Sequence, residues 1–203
     1  MTKPKLWTKN FIGISLTSFF IFLIFYMLTV ILPIYVTDEM HGNGTDIGIV
    51  ATVFVVSGIL FRPFTGKWFD KYGENIVIYP SILIFAVGVL ALSQASSSFM
   101  FLLAGGLIGL GFGTISSCFQ SIAIKSSPIN RRGTATATYF VVLFDSGFAI
   151  GSFLLGMIAA NTSYANVYSL GFFIILLSVV IYYLLHGRKA SQMISSSDEK
   201  LSI

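Results

Sequence analysis

Charge is what this sequence has least of. Asp, Glu, Lys and Arg make up 10% of its 203 residues, against about 25% in an ordinary soluble domain. That excludes a disordered chain, which would be rich in charge and poor in apolar residues. It also excludes the composition of a typical soluble enzyme. Cysteine is nearly absent: Cys118 stands alone, so no intramolecular disulfide and no cysteine-based metal cluster can form. Proline is scarce, with five residues, and there are two histidines. No paired catalytic carboxylates, no Ser-His-Asp set and no metal-ligand cluster are visible, and the sequence does not read as an enzyme.

What is there instead is apolar. Hydrophobic residues make up 55% of the chain, with 20 Phe and 19 Gly. A helix needs about 20 mostly apolar residues to cross a bilayer. Six segments qualify, near 11–36, 46–65, 75–93, 98–123, 134–160 and 165–185. The first is expected to be a mature span: its apolar run is too long for a signal peptide and no small-residue cleavage site closes it. The expected fold is an all-α membrane protein of six transmembrane helices. Residues 1–10 form a leading segment, 11–186 the helical domain, and 187–203 a polar, Ser-rich, disordered tail.

The few charges fix an orientation. Lys3, Lys5 and Lys9 precede the first span; Arg62, Lys67 and Lys71 follow the second; Lys125, Arg131 and Arg132 follow the fourth; Arg188, Lys189 and Lys200 follow the sixth. All twelve basic residues thus fall on one side, and the alternate loops have none. The positive-inside rule puts both termini in the cytoplasm of a cell-membrane protein. The net charge of +4 then reports topology, and no nucleic-acid partner is implied.

The break after the second span reads Arg62-Pro63-Phe64-Thr65-Gly66-Lys67-Trp68-Phe69-Asp70-Lys71-Tyr72-Gly73. Two helix ends must reverse within about ten residues, and Gly66 and Gly73 permit a tight or left-handed backbone. Asp70 can cap a helix or pair with a cation. Arg62, Gly66, Asp70, Lys71 and Gly73 resemble the signature loop between helices two and three of the major facilitator superfamily. That pattern ends in basic residues, where this chain has Glu74 and Asn75. Pro128-Ile129-Asn130-Arg131-Arg132-Gly133 resembles the family's link from helix four to helix five. Gly147, Gly151 and Gly156 resemble the glycine-rich fifth helix of its drug-proton antiporter branch, with Ser152 where that branch has Pro. Gly105 stands where the branch carries Arg.

The resemblance implies the N-terminal half of a twelve-helix transporter, with the proton gradient as energy source and no cofactor. Its partners would be the bilayer, a small-molecule substrate, and a second six-helix half or a homodimer mate. The alternative is a non-transporting membrane protein, truncated or partner-binding. In the family the loop Asp contacts the second half; in this chain Asp70 could instead meet Arg131 or Arg132.

Within the spans a few residues stand out. Asp145 lies about 17 Å from the cytoplasmic end at 1.5 Å per residue, where a carboxylate is costly and usually functional or paired. Thr134, Thr138, Asp145, Ala149, Ser152 and Gly156 share helical spacing, and this stripe is expected to face the bundle interior. Asp145 is then a candidate proton or cation site, against a structural hydrogen bond as the plainer alternative. Gly109, Gly113, Ser116, Ser117 and Gln120 form a second stripe, the glycines for packing and Gln120 for packing or substrate. Tyr26 is a candidate cavity residue. Gly147 and Gly151 are expected to leave an exposed face for a partner. His41 reads as a solvated loop residue, and residues 161–163 match a glycosylation sequon.

Overall fold

In hydrocarbon each backbone N–H and C=O must be satisfied within the protein, so an uncharged apolar run folds as helix. The computed structural model describes residues 8–38, 44–139 and 145–187. Helices α1 (Lys9–Asp38), α2 (Gly44–Tyr72), α3 (Glu74–Ser93) and α4 (Ser98–Lys125) are followed by a 3-10 turn at Ile129–Arg131. Then come α5 (Arg132–Tyr139), α6 (Ser146–Asn161), α7 (Tyr164–Tyr182) and a π-type last turn, Tyr183–Gly187. Among the described residues every element is helical, and five helices are long and apolar enough to cross a membrane. The expected fifth segment, 134–160, is represented by α5 and α6, with residues 140–144 between them outside the described set. Residues 1–7, His41 and the tail from 188 onward also lie outside it.

The helix ends follow local chemistry. Ser97 caps α4 by accepting from the Met100 N–H at 3.4 Å, and Ser163 caps α7 by accepting from Asn166 at 3.4 Å. Pro128 cannot continue a helix, and α4 stops at Lys125. The break between α2 and α3 is narrower than the sequence suggests. Helix α2 runs on to Tyr72, and Gly73 alone turns the chain, at φ 85°. Gly66 is helical and open, with nothing within 4 Å of where a side chain would start. So the motif of residues 62–72 is the last part of a helix, and the left-handed glycine is Gly73.

Helix α4 lies between α2 and α3, while α1 packs against α6 and α7, and α3 against α7. Hydroxyls inside the bundle return to their own helix: Thr17 donates to the Gly13 carbonyl (2.8 Å), Ser81 to Val77 (2.7 Å) and Thr114 to Leu110 (2.9 Å). Both ends of the bundle are tied by polar contacts. At one end the Tyr164 hydroxyl donates to Asp38 Oδ2 at 2.8 Å. At the other, Tyr182 donates to Asn75 Oδ1 (2.8 Å), Asn75 Nδ2 donates to the Gly187 carbonyl (2.9 Å), and Glu74 Oε1 lies 2.6 Å from His186 Nε2. Glu74 and Asn75, the departure from the family pattern, thereby hold the start of α3 against the end of the chain's last described helix.

Candidate functional site

A cavity of about 400 Å³ opens between α1, α2, α4 and α5. One part of its wall is aromatic. Phe25 stacks on Phe112, with centroids 3.7 Å apart and planes 6° apart, and Phe54 stacks on the Phe25 ring at 5.4 Å. The other part is polar: Ser116, Ser117 and Gln120 from α4, Arg62 from α2 and Tyr139 from α5. The spacing explains the polar strip, because 113, 116, 117 and 120 recur on one helical face. The glycines in the same stripe set the wall's position. A Cβ at Gly109 would collide with the Phe54 carbonyl oxygen and the Ser57 hydroxyl, and one at Gly113 would come within 2.7 Å of the Gly58 Cα. Backbone-to-backbone approach of α2 and α4 therefore brings Arg62 and Gln120 to one cavity.

Phe25, Phe54 and Val55 also border a second, apolar cavity of about 280 Å³ between α1 and α2, so the aromatic stack divides an apolar chamber from a polar one. Towards the turn at Gly73, a small cleft of about 130 Å³ continues from the polar chamber. Arg62 and Ser117 line both, and Ser121, Asp70 and Lys125 line the cleft.

Most residues singled out in the sequence lie in the described part of the structure. Gln120 lines the polar cavity. Tyr26 is buried on α1, edge-on to Phe148 of α6 at 5.0 Å, and interacts electrostatically with Asp145. Neither Tyr26 nor Asp145 lines the polar cavity. Asp145 is exposed, just ahead of α6. The expectation that its stripe faces inward is corrected in part: Thr134, Asp145 and Ala149 are exposed, Thr138 and Ser152 are half-buried, and the buried positions of α5 are Ala135 and Tyr139.

Gly147 and Gly151 are buried against Leu23 of α1. They are used within the bundle and offer no exposed partner face, which corrects that expectation too. Gly156 lies on α6, and its surroundings are outside the described set. Asp70 meets Lys125, at 3.9 Å, rather than Arg131 or Arg132. The reason is geometric: Asp70 and Lys125 both stand at the ends of the packed helices α2 and α4, whereas Arg131 and Arg132 belong to the turn that leaves α4. Lys71 lies over the Tyr72 ring at 4.9 Å.

The aromatic stack of Phe25, Phe54 and Phe112 was not legible as a cavity wall, nor were two polar residues. Tyr139, buried, donates to the Ser18 hydroxyl at 3.2 Å and closes the cavity on the α1 side. Arg62 reads as the edge of a loop, yet it stands ten residues before the end of α2, about 15 Å along the helix. The signal was its distance from Gly73 rather than its place in the motif.

Comparison with known proteins decides the family. The profile of the Major Facilitator Superfamily matches residues 14–201. The chain belongs to the Major Facilitator Superfamily. It is an integral membrane protein of a transporter family. It is 24% identical over 183 residues to the quinolone resistance protein NorA of Staphylococcus aureus, covering 90% of this chain and 47% of the relative. It is 29% identical over 137 residues to the uncharacterized MFS-type transporter YwoD of Bacillus subtilis, covering 66% of this chain and 30% of the relative. The chain spans about half the length of the NorA proteins it matches.

Proposed function

We propose that this chain is one six-helix unit of a secondary transporter that exports a small amphipathic molecule in exchange for protons, with both termini cytoplasmic. The observation that carries the reading is the cavity itself. It combines an aromatic stack with one polar wall, the arrangement that small-molecule sites favour, inside a member of a transporter family. The export direction leans on the relative named for quinolone resistance. In this reading α5 and α6 belong to a single fifth span, which gives six crossings and agrees with the one-sided basic residues. Rocking of two bundles around a central site needs a second unit. Helix α2 suits that contact, because it borders the cavity while Ile59, Leu60 and Phe64 stay exposed. A second six-helix bundle or a second copy of this chain fills the role.

Proton coupling is assigned to Asp145, the acidic residue that the six-span reading places within the membrane. Asp145, just ahead of α6, lies within electrostatic reach of Tyr26 on α1. The test is efflux of a fluorescent quinolone from cells producing the chain, alone and together with a candidate partner half. Protonophore-sensitive efflux that falls at least about tenfold in Asp145→Asn, with unchanged membrane abundance, is expected. Asp145→Asn efflux that keeps its rate and its pH dependence would remove the proton assignment. Absence of efflux from every combination would remove the transporter reading. Cysteine-scanning accessibility of residues 8 and 187 from each side checks the orientation, and opposite sides would contradict the six-span count.

A further inference from the structure

Among the described residues, the polar cavity contains a cation and no anion. Arg62 lines it, and among the described residues no Asp or Glu does. Arg62 forms no ion pair within 4 Å among the described residues; the two ion pairs found are Lys125–Asp70 and His186–Glu74. In the adjoining cleft the lone carboxylate, Asp70, is already matched by Lys125. Counting the cleft and cavity together, two cations face one carboxylate, and the surplus positive charge belongs to Arg62.

Arg62 is exposed in this bundle and lines the cavity with its neighbours on α4. Its five donors in a planar fork match a carboxylate or phosphonate bidentately. Pro63, the next residue, has no N–H, so the helix leaves the Ile59 carbonyl without its usual donor, and Ile59 also lines the cavity. Ser116, Ser117 and Gln120 add neutral hydrogen-bonding groups beside the cation, and the Phe25–Phe112 stack supplies a flat apolar wall.

We propose that the cavity selects an organic anion: a flat aromatic body against Phe25 and Phe112, with a carboxylate or similar oxyanion held by Arg62. This deepens the transporter reading and rests on it. It also separates the two charges by task, with Arg62 holding the substrate on one wall and Asp145 outside the cavity.

The test uses the purified full chain in nanodiscs, with empty nanodiscs subtracted, and three probes on one ring: 2-naphthoate, 2-naphthamide and 2-naphthylmethylammonium. Isothermal titration should give naphthoate the tightest binding and the ammonium the weakest. Arg62→Gln should weaken naphthoate by about tenfold to a hundredfold and leave the amide unchanged, and Arg62→Lys should retain part of the preference. Equal binding of naphthoate and amide, a preference for the ammonium, or a preference that survives Arg62→Gln overturns the inference while leaving a small-molecule cavity in place. Binding of none of the three overturns both. The ranking on the unsubstituted chain decides the matter even if Arg62→Gln does not fold.

Discussion

Two helix seams in this bundle carry glycine stripes, and they work differently. Where α4 crosses α2, Gly109 and Gly113 lie backbone to backbone against residues 54–58, and a methyl group on either has no room. Where α6 crosses α1, Gly147 and Gly151 lie against Leu23, with more room. A Cβ at Gly151 would come within 2.9 Å of the Leu23 carbonyl oxygen, and one at Gly147 no nearer than 3.6 Å to any described atom. The same residue type at the same i, i+4 spacing thus marks a close contact in one seam and a looser one in the other. In lipid, small residues let helices approach and gain van der Waals contact. Only the first seam uses that approach fully, and that seam holds up the cavity wall.

The comparison breaks first, and hardest, at Gly109. Gly109→Ala places a methyl on the Phe54 carbonyl, a backbone atom that cannot rotate away. Overpacking of this kind costs about 3 kcal/mol, at the upper end of the usual range. Gly113→Ala, against the Gly58 backbone, should cost about 2 kcal/mol. Thermal unfolding of the purified protein measures both. Because α2 and α4 carry Arg62 and Gln120, ligand binding should fall along with stability. If Gly109→Ala unfolds at the unsubstituted temperature, the close seam is not as described.

How much of this was legible in the sequence depends on the contact involved. Long uncharged runs dictate helices, because lipid leaves the backbone no other donor or acceptor; five spans followed directly. The family followed from the motif of residues 62–73. What periodicity could not supply was which neighbour a stripe meets. The stripe at 109, 113, 116, 117 and 120 points into the cavity, but the one through Asp145 has Thr134, Asp145 and Ala149 exposed. Partners distant in sequence were hidden for the same reason. Nothing local pairs Glu74 with His186, or Asp70 with Lys125 rather than Arg131. Gly88 and Gly111, which bring α3 and α4 together at Ile108 and Phe85, carry no mark that separates them from other glycines.

Gly151→Ala sharpens the comparison. Its nearest obstacle is again a carbonyl oxygen, but the encroachment is slight, at 2.9 Å, and the next atoms are Leu23 Cγ at 3.4 Å and Leu23 Cα at 3.5 Å. A shift of α6 by a few tenths of an ångström relieves it. The expected loss is about 1 kcal/mol, seen as a modest fall in unfolding temperature. Binding to the cavity should not change, because no described residue of α6 lines it. A loss as large as that of Gly109→Ala would make the two seams equivalent.

Gly147→Ala should have the smallest effect, and its sign is the informative part. The nearest atoms to the added methyl are Leu23 N at 3.6 Å and Phe22 Cβ at 3.7 Å, which is ordinary van der Waals contact. No steric cost opposes the substitution. Two gains favour it: alanine restricts the unfolded chain and suits a helix better than glycine, by about 0.4–1 kcal/mol, and the methyl adds contacts with α1. Unfolding temperature should therefore hold or rise slightly. A clear fall would place α1 and α6 as close together as α2 and α4, and the glycines of both seams would then serve one purpose.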